Sequence, residues 1–115
     1  MGVVIHEAMI VTSWDAVLLG AARQAAINLF GERYVSPLTP TMINQYRTFI
    51  IQSSGSKQGW EESEVHHARL IAMTVSLRGM AHEDGSNSVE WVVVQYGNDL
   101  DEKKPRVLEF PPTGE

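Results

Sequence analysis

The residues best placed to do chemistry lie between Phe49 and Ser63. There the apolar run Phe49-Ile50-Ile51 leads through Ser53-Ser54-Gly55-Ser56-Lys57-Gln58-Gly59 into Trp60-Glu61-Glu62-Ser63. A strand, a loop of small residues with one cation, and a helix start form an anion site when loop and first-turn amides converge on one point. Ser54, Gly55, Ser56, Lys57 and Gly59 are the candidates, with phosphate, carboxylate or nucleotide as the ligand class. Glycines admit close backbone approach, serines donate hydroxyl bonds and Lys57 supplies a point charge. The spacing matches neither Gly-x-x-x-x-Gly-Lys-Ser/Thr nor Gly-x-Gly-x-x-Gly, and Glu61 and Glu62 place negative charge at the same helix start. The loop therefore also reads as an ordinary connection.

Metal and acid–base readings rest on fewer residues. Glu62 and His66 stand four apart on a presumed helix and could face one ion, while His82, Glu83 and Asp84 add ligand types near its far end. About twenty helical residues would hold those ends ~30 Å apart, so a shared site needs the helix to break, and Gly79 is the place for it. His66-His67 has neither the His-Glu-x-x-His spacing nor a third fixed ligand, so both read as polar-face histidines and no metal or cofactor is assigned. His6, Glu7 and Asp15 flank the first strand and its helix, where a half-buried carboxylate could work as an acid or base. Glu7 fits a water-facing strand position equally well. Ser13 follows a strand without the glycine-flanked nucleophile elbow and reads as a helix cap. No Ser/His/Asp trio has local support, and no catalytic residue is assigned. Trp14, Trp60 and Trp91 each sit in a periodic apolar pattern and read as packing residues.

Six elements must position these groups. Val3 to Thr12, rich in Val, Ile and Met, predicts a first strand. Ser13 caps the helix that follows, with Asp15 in its first turn. Its stripe is Trp14, Val17, Leu18, Ala21, Ala22, Ala25, Leu29 and Phe30, and Gly31 is its stop. Pro37 and Pro40 make Glu32 to Asn44 an irregular connection. Gln45 to Ser53 predicts a second strand. A second helix opens at Trp60 or Ser63 and ends at Gly79 or runs on to Ala81 or Asp84. Its stripe is Val65, Ala68, Ile71, Ala72 and Val75, widened by Leu70, Met73 and Leu77. Val89 to Tyr96 is the clearest strand, Arg106 to Phe110 returns as a fourth, and Pro111 to Glu115 is a loose tail beyond an ordered core of residues 1–110. The expectation is one compact α/β (α+β) domain spanning residues 1–115, β-α-β-α-β-β, with a four-stranded mixed sheet and two amphipathic helices.

Both faces of that sheet are apolar: Val3, Ile5, Met9, Val11, Trp91 and Val93 fall on one, and Val4, Ala8, Ile10, Val92, Val94 and Tyr96 on the other. Parallel strands in the order 1-2-3 put both helices on one face, whereas β2 and β3 flanking β1 put them on opposite faces. In the first case a bare face predicts a homodimer or a stable complex. We assign the interaction surface to Val3, Ile5, Met9, Val11, Trp91 and Val93.

Composition narrows the function classes. The 115 residues suit one domain able to bury its own core. With no cysteine, disulfides, thiolate nucleophiles and Cys-ligated zinc or iron–sulfur centres are excluded, and a cytoplasmic setting is favoured. The N-terminus lacks a basic region before an apolar run and Glu7 interrupts that run, so no secretory signal is expected; His6 argues against myristoylation. No apolar stretch approaches the ~20 residues that cross a bilayer. A net charge of −5 with nine scattered Lys and Arg does not suit a nucleic-acid backbone, so no nucleic-acid partner is expected.

Four segments, Ile10-Val11-Thr12-Ser13-Trp14-Asp15, Gly55-Ser56-Lys57-Gln58-Gly59-Trp60-Glu61-Glu62-Ser63, Glu83-Asp84-Gly85-Ser86 and Trp91-Val92-Val93-Val94-Gln95-Tyr96-Gly97-Asn98-Asp99, carry a resemblance. In this order they resemble a pattern in small uncharacterised proteins of bacteriophages and bacteria. The chain departs from it in a longer Pro37 to Asn44 connection and in Val65-His66-His67, where more acidic residues are expected. The resemblance implies a bacterial or phage cytosolic origin and transfers no activity. The leading expectation is a small protein acting by protein contacts, modulating a host or phage protein. A small-anion or nucleotide module using the Ser53 to Gly59 loop is the alternative, and a metal-dependent or hydrolytic enzyme the third.

Overall fold

The computed structural model describes residues 2–111. The chain runs β1 (His6–Ser13), α1 (Ala16–Phe30), β2 (Arg47–Ile51), α2 (Glu61–Arg78), β3 (Val89–Tyr96) and β4 (Arg106–Leu108), with single 3-10 turns at Glu32–Tyr34, Ile43–Gln45 and Asp101–Lys103. Of the tail expected at residues 111–115, all but Pro111 lies outside the described residues.

The sheet order is β2-β1-β3-β4 and every pairing is antiparallel, which corrects the expectation of a mixed sheet. The cause is the proline-bearing connection after α1. Val35 bridges to Ile51, the amide of Ser36 bonds to the Ile50 carbonyl and that of Thr39 to the Thr48 carbonyl, so the segment climbs the outer edge of β2. Pro37 and Pro40 suit an edge, where their missing donors break no ladder. The hydroxyls of Ser36 and Thr39 complete the pairing by accepting from the amides of Ile50 and Thr48, at 2.7 and 2.9 Å. The chain then turns through Ile43–Gln45, with Asn44 and Gln45 at positive φ, and β2 comes back down. With the edge segment counted as a strand, the path is β-α-β-β-α-β, the interleaved split β-α-β arrangement also called ferredoxin-like, with β4 appended.

The same reversal decides where the helices lie. β2 and β3 flank β1, yet both helices cover one face, because the two crossovers start from oppositely directed strands and run in opposite directions across the sheet. Met9 and Val11 of β1, Phe49 and Ile51 of β2, and Val89 and Val93 of β3 meet Leu19, Ala22, Ala26 and Phe30 of α1 and Leu70, Met73 and Leu77 of α2. Met9, Val11 and Val93 are buried in this core, so they cannot belong to the interaction surface assigned to them.

Both helices are rotated from their expected stripes. On α1 the buried line is Leu19, Ala22, Ala26 and Phe30, while Val17 and Ala21 face solvent. Ala, Leu and Val occur all round this helix, so its apolar periodicity has no single phase. On α2 the buried line is His66, Leu70, Met73, Thr74 and Leu77, so the residues expected to widen the stripe form its centre, while Val65, Ala68 and Ile71 are exposed. Two polar residues join that core because each is satisfied: His66 Nε2 donates to the Glu7 carbonyl at 3.1 Å and Thr74 Oγ1 to the Leu70 carbonyl at 3.0 Å.

Caps define the ends. Asp15 caps α1, its Oδ1 accepting from the amides of Val17 and Leu18. Ser13, expected in that role, is buried; its Oγ accepts from the Asp15 amide and donates to the Ser88 carbonyl, joining the ends of β1 and β3. Gly31, at φ 90°, takes the chain out of α1 through a conformation that disfavours side chains. α2 stops at Gly79, the earliest of the expected ends. Trp91 packs against the core, whereas Trp14 and Trp60 are half exposed instead of packed.

Candidate functional site

Three surfaces compete. The first is the sheet face opposite the helices, where β1 presents His6, Ala8, Ile10 and Thr12 in register with Tyr96, Val94, Val92 and Glu90 of β3. Ile50 of β2 pairs with Ile10, and Val107 of β4 with Val94. Exposure is 38% at Ile10, 43% at Ile50, 39% at Tyr96 and 59% at Val107. The Thr12 and Thr48 hydroxyls bond each other at 2.9 Å on this face, and the rings of His6 and Tyr96 stack 5.1 Å apart. Glu90 is the carboxylate among these positions. The bare apolar face anticipated from the strands therefore exists, but on the opposite side from the residues assigned to it. Of those six, Trp91 lies on the helix side, and Val3 and Ile5 precede β1 beside Gln58, Asp99 and Leu100.

The second is the Ser53 to Gly59 loop. Three of its amides are committed within the chain: that of Gly55 bonds to Ser53 Oγ, that of Ser56 to Ser54 Oγ and that of Gln58 to the Val3 carbonyl. Ser53 Oγ also meets His6 Nδ1 at 2.7 Å. Lys57 folds back so that Nζ lies 5.1 Å from the centre of the Trp60 ring, a cation–π contact. Of the candidates Ser54, Gly55, Ser56, Lys57 and Gly59, the amides of Gly55 and Ser56 are paired internally and the Lys57 cation is turned to the Trp60 ring.

The third lies where β1 meets the start of α2. Glu7 projects to the helix side, its side chain 17% exposed, with both carboxylate oxygens engaged. His67 Nδ1 donates to Oε1 at 2.6 Å and Gln95 Nε2 to Oε2 at 2.9 Å. The three residues line a cleft of about 500 Å³ with Gln58, Gly59, Ser63 and Glu64. Glu7 was legible as a strand carboxylate; its partner was not, because His67 lies 60 positions further along the chain.

His66, the neighbouring histidine, does something else. Its ring packs edge-on to Phe30 at 5.3 Å and beside Tyr34 at 5.6 Å, and burial pushes its imidazole below the ordinary histidine value. It is a core residue with Nε2 bonded to a carbonyl, which corrects its reading as a polar-face residue and removes it as the partner of Glu62 in metal binding. Among the described residues no cluster of three or more His, Asp or Glu could hold an ion. At the far end of α2, His82 Nε2 meets Ser88 Oγ at 2.7 Å, and Asp84 accepts from the Ser86 hydroxyl and amide, which hold its carboxyl below the usual carboxylate range. These contacts shape the turn into β3.

No protein-family model, curated protein or solved structure matches this chain. Among the described residues no helix is long and apolar enough to cross a membrane.

Proposed function

We propose that the chain is a protein-association module that works as a homodimer, two copies packed sheet face to sheet face. In a bacterial or phage-infected cell, the setting its sequence resemblance suggests, the assembled form would modulate a host or phage protein. The observation that carries this reading is the uncovered face bearing Ile10, Ile50, Val92, Val94, Tyr96 and Val107.

Strands of eight, five, eight and three residues, at about 3.3 Å per residue and about 4.8 Å spacing, make a face of about 400 Å². That is as large as the largest apolar patch on an ordinary monomer. Stacking it on its copy buries about 800 Å² in total, short of the roughly 1,000 Å² of a stable specific interface, so a weak, micromolar dimer is expected. The edges favour stacking over lateral pairing: the proline-bearing segment covers β2, and β4 has only three residues. A two-fold contact places the apolar centre on itself and needs no charged partner. Because each copy carries net charge −5, added salt should tighten the pairing by screening repulsion.

Sedimentation equilibrium at tens of micromolar tests this. The wild type should dimerise, more tightly as salt rises, while Ile10→Asp and Ile50→Asp should be folded monomers. A wild type that stays monomeric across that range would remove the reading.

A further inference from the structure

The Glu7–His67 contact has a chemical consequence that sheet packing does not use. An ionised carboxylate can only accept hydrogen bonds, so the 2.6 Å contact fixes His67 as the tautomer with hydrogen on Nδ1. In the neutral imidazole the lone pair is then on Nε2, which forms no hydrogen bond among the described residues. The imidazole is held from two sides, by Glu7 and by the edge-on ring of Phe110 at 5.5 Å and 89°. Gln95 holds the other oxygen of Glu7, so the orienting carboxylate is itself oriented. Ser63 lies one helical turn before His67 on α2, and both line the same cleft. A hydroxyl and an imidazole with a free Nε2 on one cleft, with a carboxylate on Nδ1, supply the three groups that nucleophilic acyl transfer needs.

We propose that Ser63, His67 and Glu7 form an acyl-transfer site for uncharged or cationic carboxylic esters. Ser63 Oγ bonds to the ester carbonyl carbon while its proton passes to Nε2 of His67. The adduct collapses, the bond to the alcohol oxygen breaks, and the alcohol leaves with the proton from Nε2. Water then adds to the acyl carbon, giving a proton to Nε2. The acid departs as Ser63 Oγ takes that proton back. Ser63 and His67 are the catalytic residues. Glu7 is a positioning residue that fixes the tautomer and stabilises the transient imidazolium. Glu61, Glu62 and Glu64 in the first turn of α2 repel phosphate and carboxylate substrates, which sets the substrate class.

The full-length chain can be tested with a neutral fluorophosphonate and with p-nitrophenyl acetate. We expect one adduct, mapped by peptide mass spectrometry to Ser63, and p-nitrophenyl acetate hydrolysis with p-nitrophenyl phosphate left intact. Ser63→Ala should abolish both signals, and His67→Ala should slow both by about 100-fold or more. Glu7→Gln should lower kcat about 10-fold or more with KM unchanged, in a variant whose circular dichroism and melting temperature show it fully folded at the assay temperature. No Ser63 adduct on wild-type protein of normal circular dichroism and melting temperature would overturn the proposal. So would ester hydrolysis that survives Ser63→Ala. These residues lie on the helix side of the sheet, so neither result depends on whether the chain dimerises.

Discussion

Oε1 of Glu7 and Nδ1 of His67 lie 2.6 Å apart, tying a core-facing position of β1 to the flank of α2. His67 is 44% exposed, so solvent screens any charge attraction, and the contact acts mainly as a hydrogen bond. Glu7→Ala strips His67 Nδ1 and Gln95 Nε2 of their acceptor together. A loss of about 1–3 kcal/mol in urea unfolding is expected, nearly the same at low and high salt. A loss that disappears in high salt would show the contact to be chiefly ionic.

The rotation of α2 is testable by neighbouring substitutions. Leu70 is fully buried and Ile71 is 36% exposed. Leu70→Ala should cost about 2–5 kcal/mol, because it leaves a cavity under the sheet, and Ile71→Ala well under half as much. The reverse ranking in denaturant titrations would restore the stripe through Val65, Ala68 and Ile71.

Acid should destabilise the fold through His66. Burial holds its imidazole below 6.5, and the bond from Nε2 to the Glu7 carbonyl only partly opposes that. Between the folded value and 6.5 the unfolded chain binds more protons, so this stability is complete above pH 6.5 and is lost as pH falls through the folded value. Urea midpoints at pH 7.5 and 5 should differ more for the wild type than for His66→Gln, which keeps a donor but does not titrate. Equal differences would mean that His66 remains neutral, or titrates alike, in both states.

Lys57 should matter to its loop rather than to an anion. With Nζ over the Trp60 ring and the amides of Gly55, Ser56 and Gln58 paired internally, millimolar phosphate should leave the melting temperature unchanged. Lys57→Ala should lower stability by about 0.5–1 kcal/mol through the lost ring contact. A phosphate-dependent rise in melting temperature that Lys57→Ala removes would reinstate the anion site.

Gly97 closes β3 at φ 137°, where an added Cβ would lie 3.4 Å from both His6 Cδ2 and the Val4 carbonyl oxygen. Gly97→Ala is expected to cost about 1–3 kcal/mol in thermal or urea unfolding, because backbone strain and crowding add. A neutral effect would show that the turn relaxes into ordinary φ.

Local pattern by itself determined the elements. Val89–Tyr96 is a strand with the expected ends because β-branched and aromatic residues lie between turn signals, and Gly79 ends α2 where glycine weakens a helix. The α+β class, the two helices and the four strands follow from such signals. Tertiary structure decided what those elements face. Nothing local shows that Ser36 and Thr39 lend hydroxyls to β2, yet that pairing makes the sheet antiparallel and gathers both helices on one side. His66 counts as core only because Glu7, Phe30 and Tyr34 converge on it, and His67 becomes an oriented imidazole only when β1 supplies a carboxylate. Alternation within a strand sorts residues into two faces, but which face meets water depends on the path of the crossovers, a property of contacts distant in sequence.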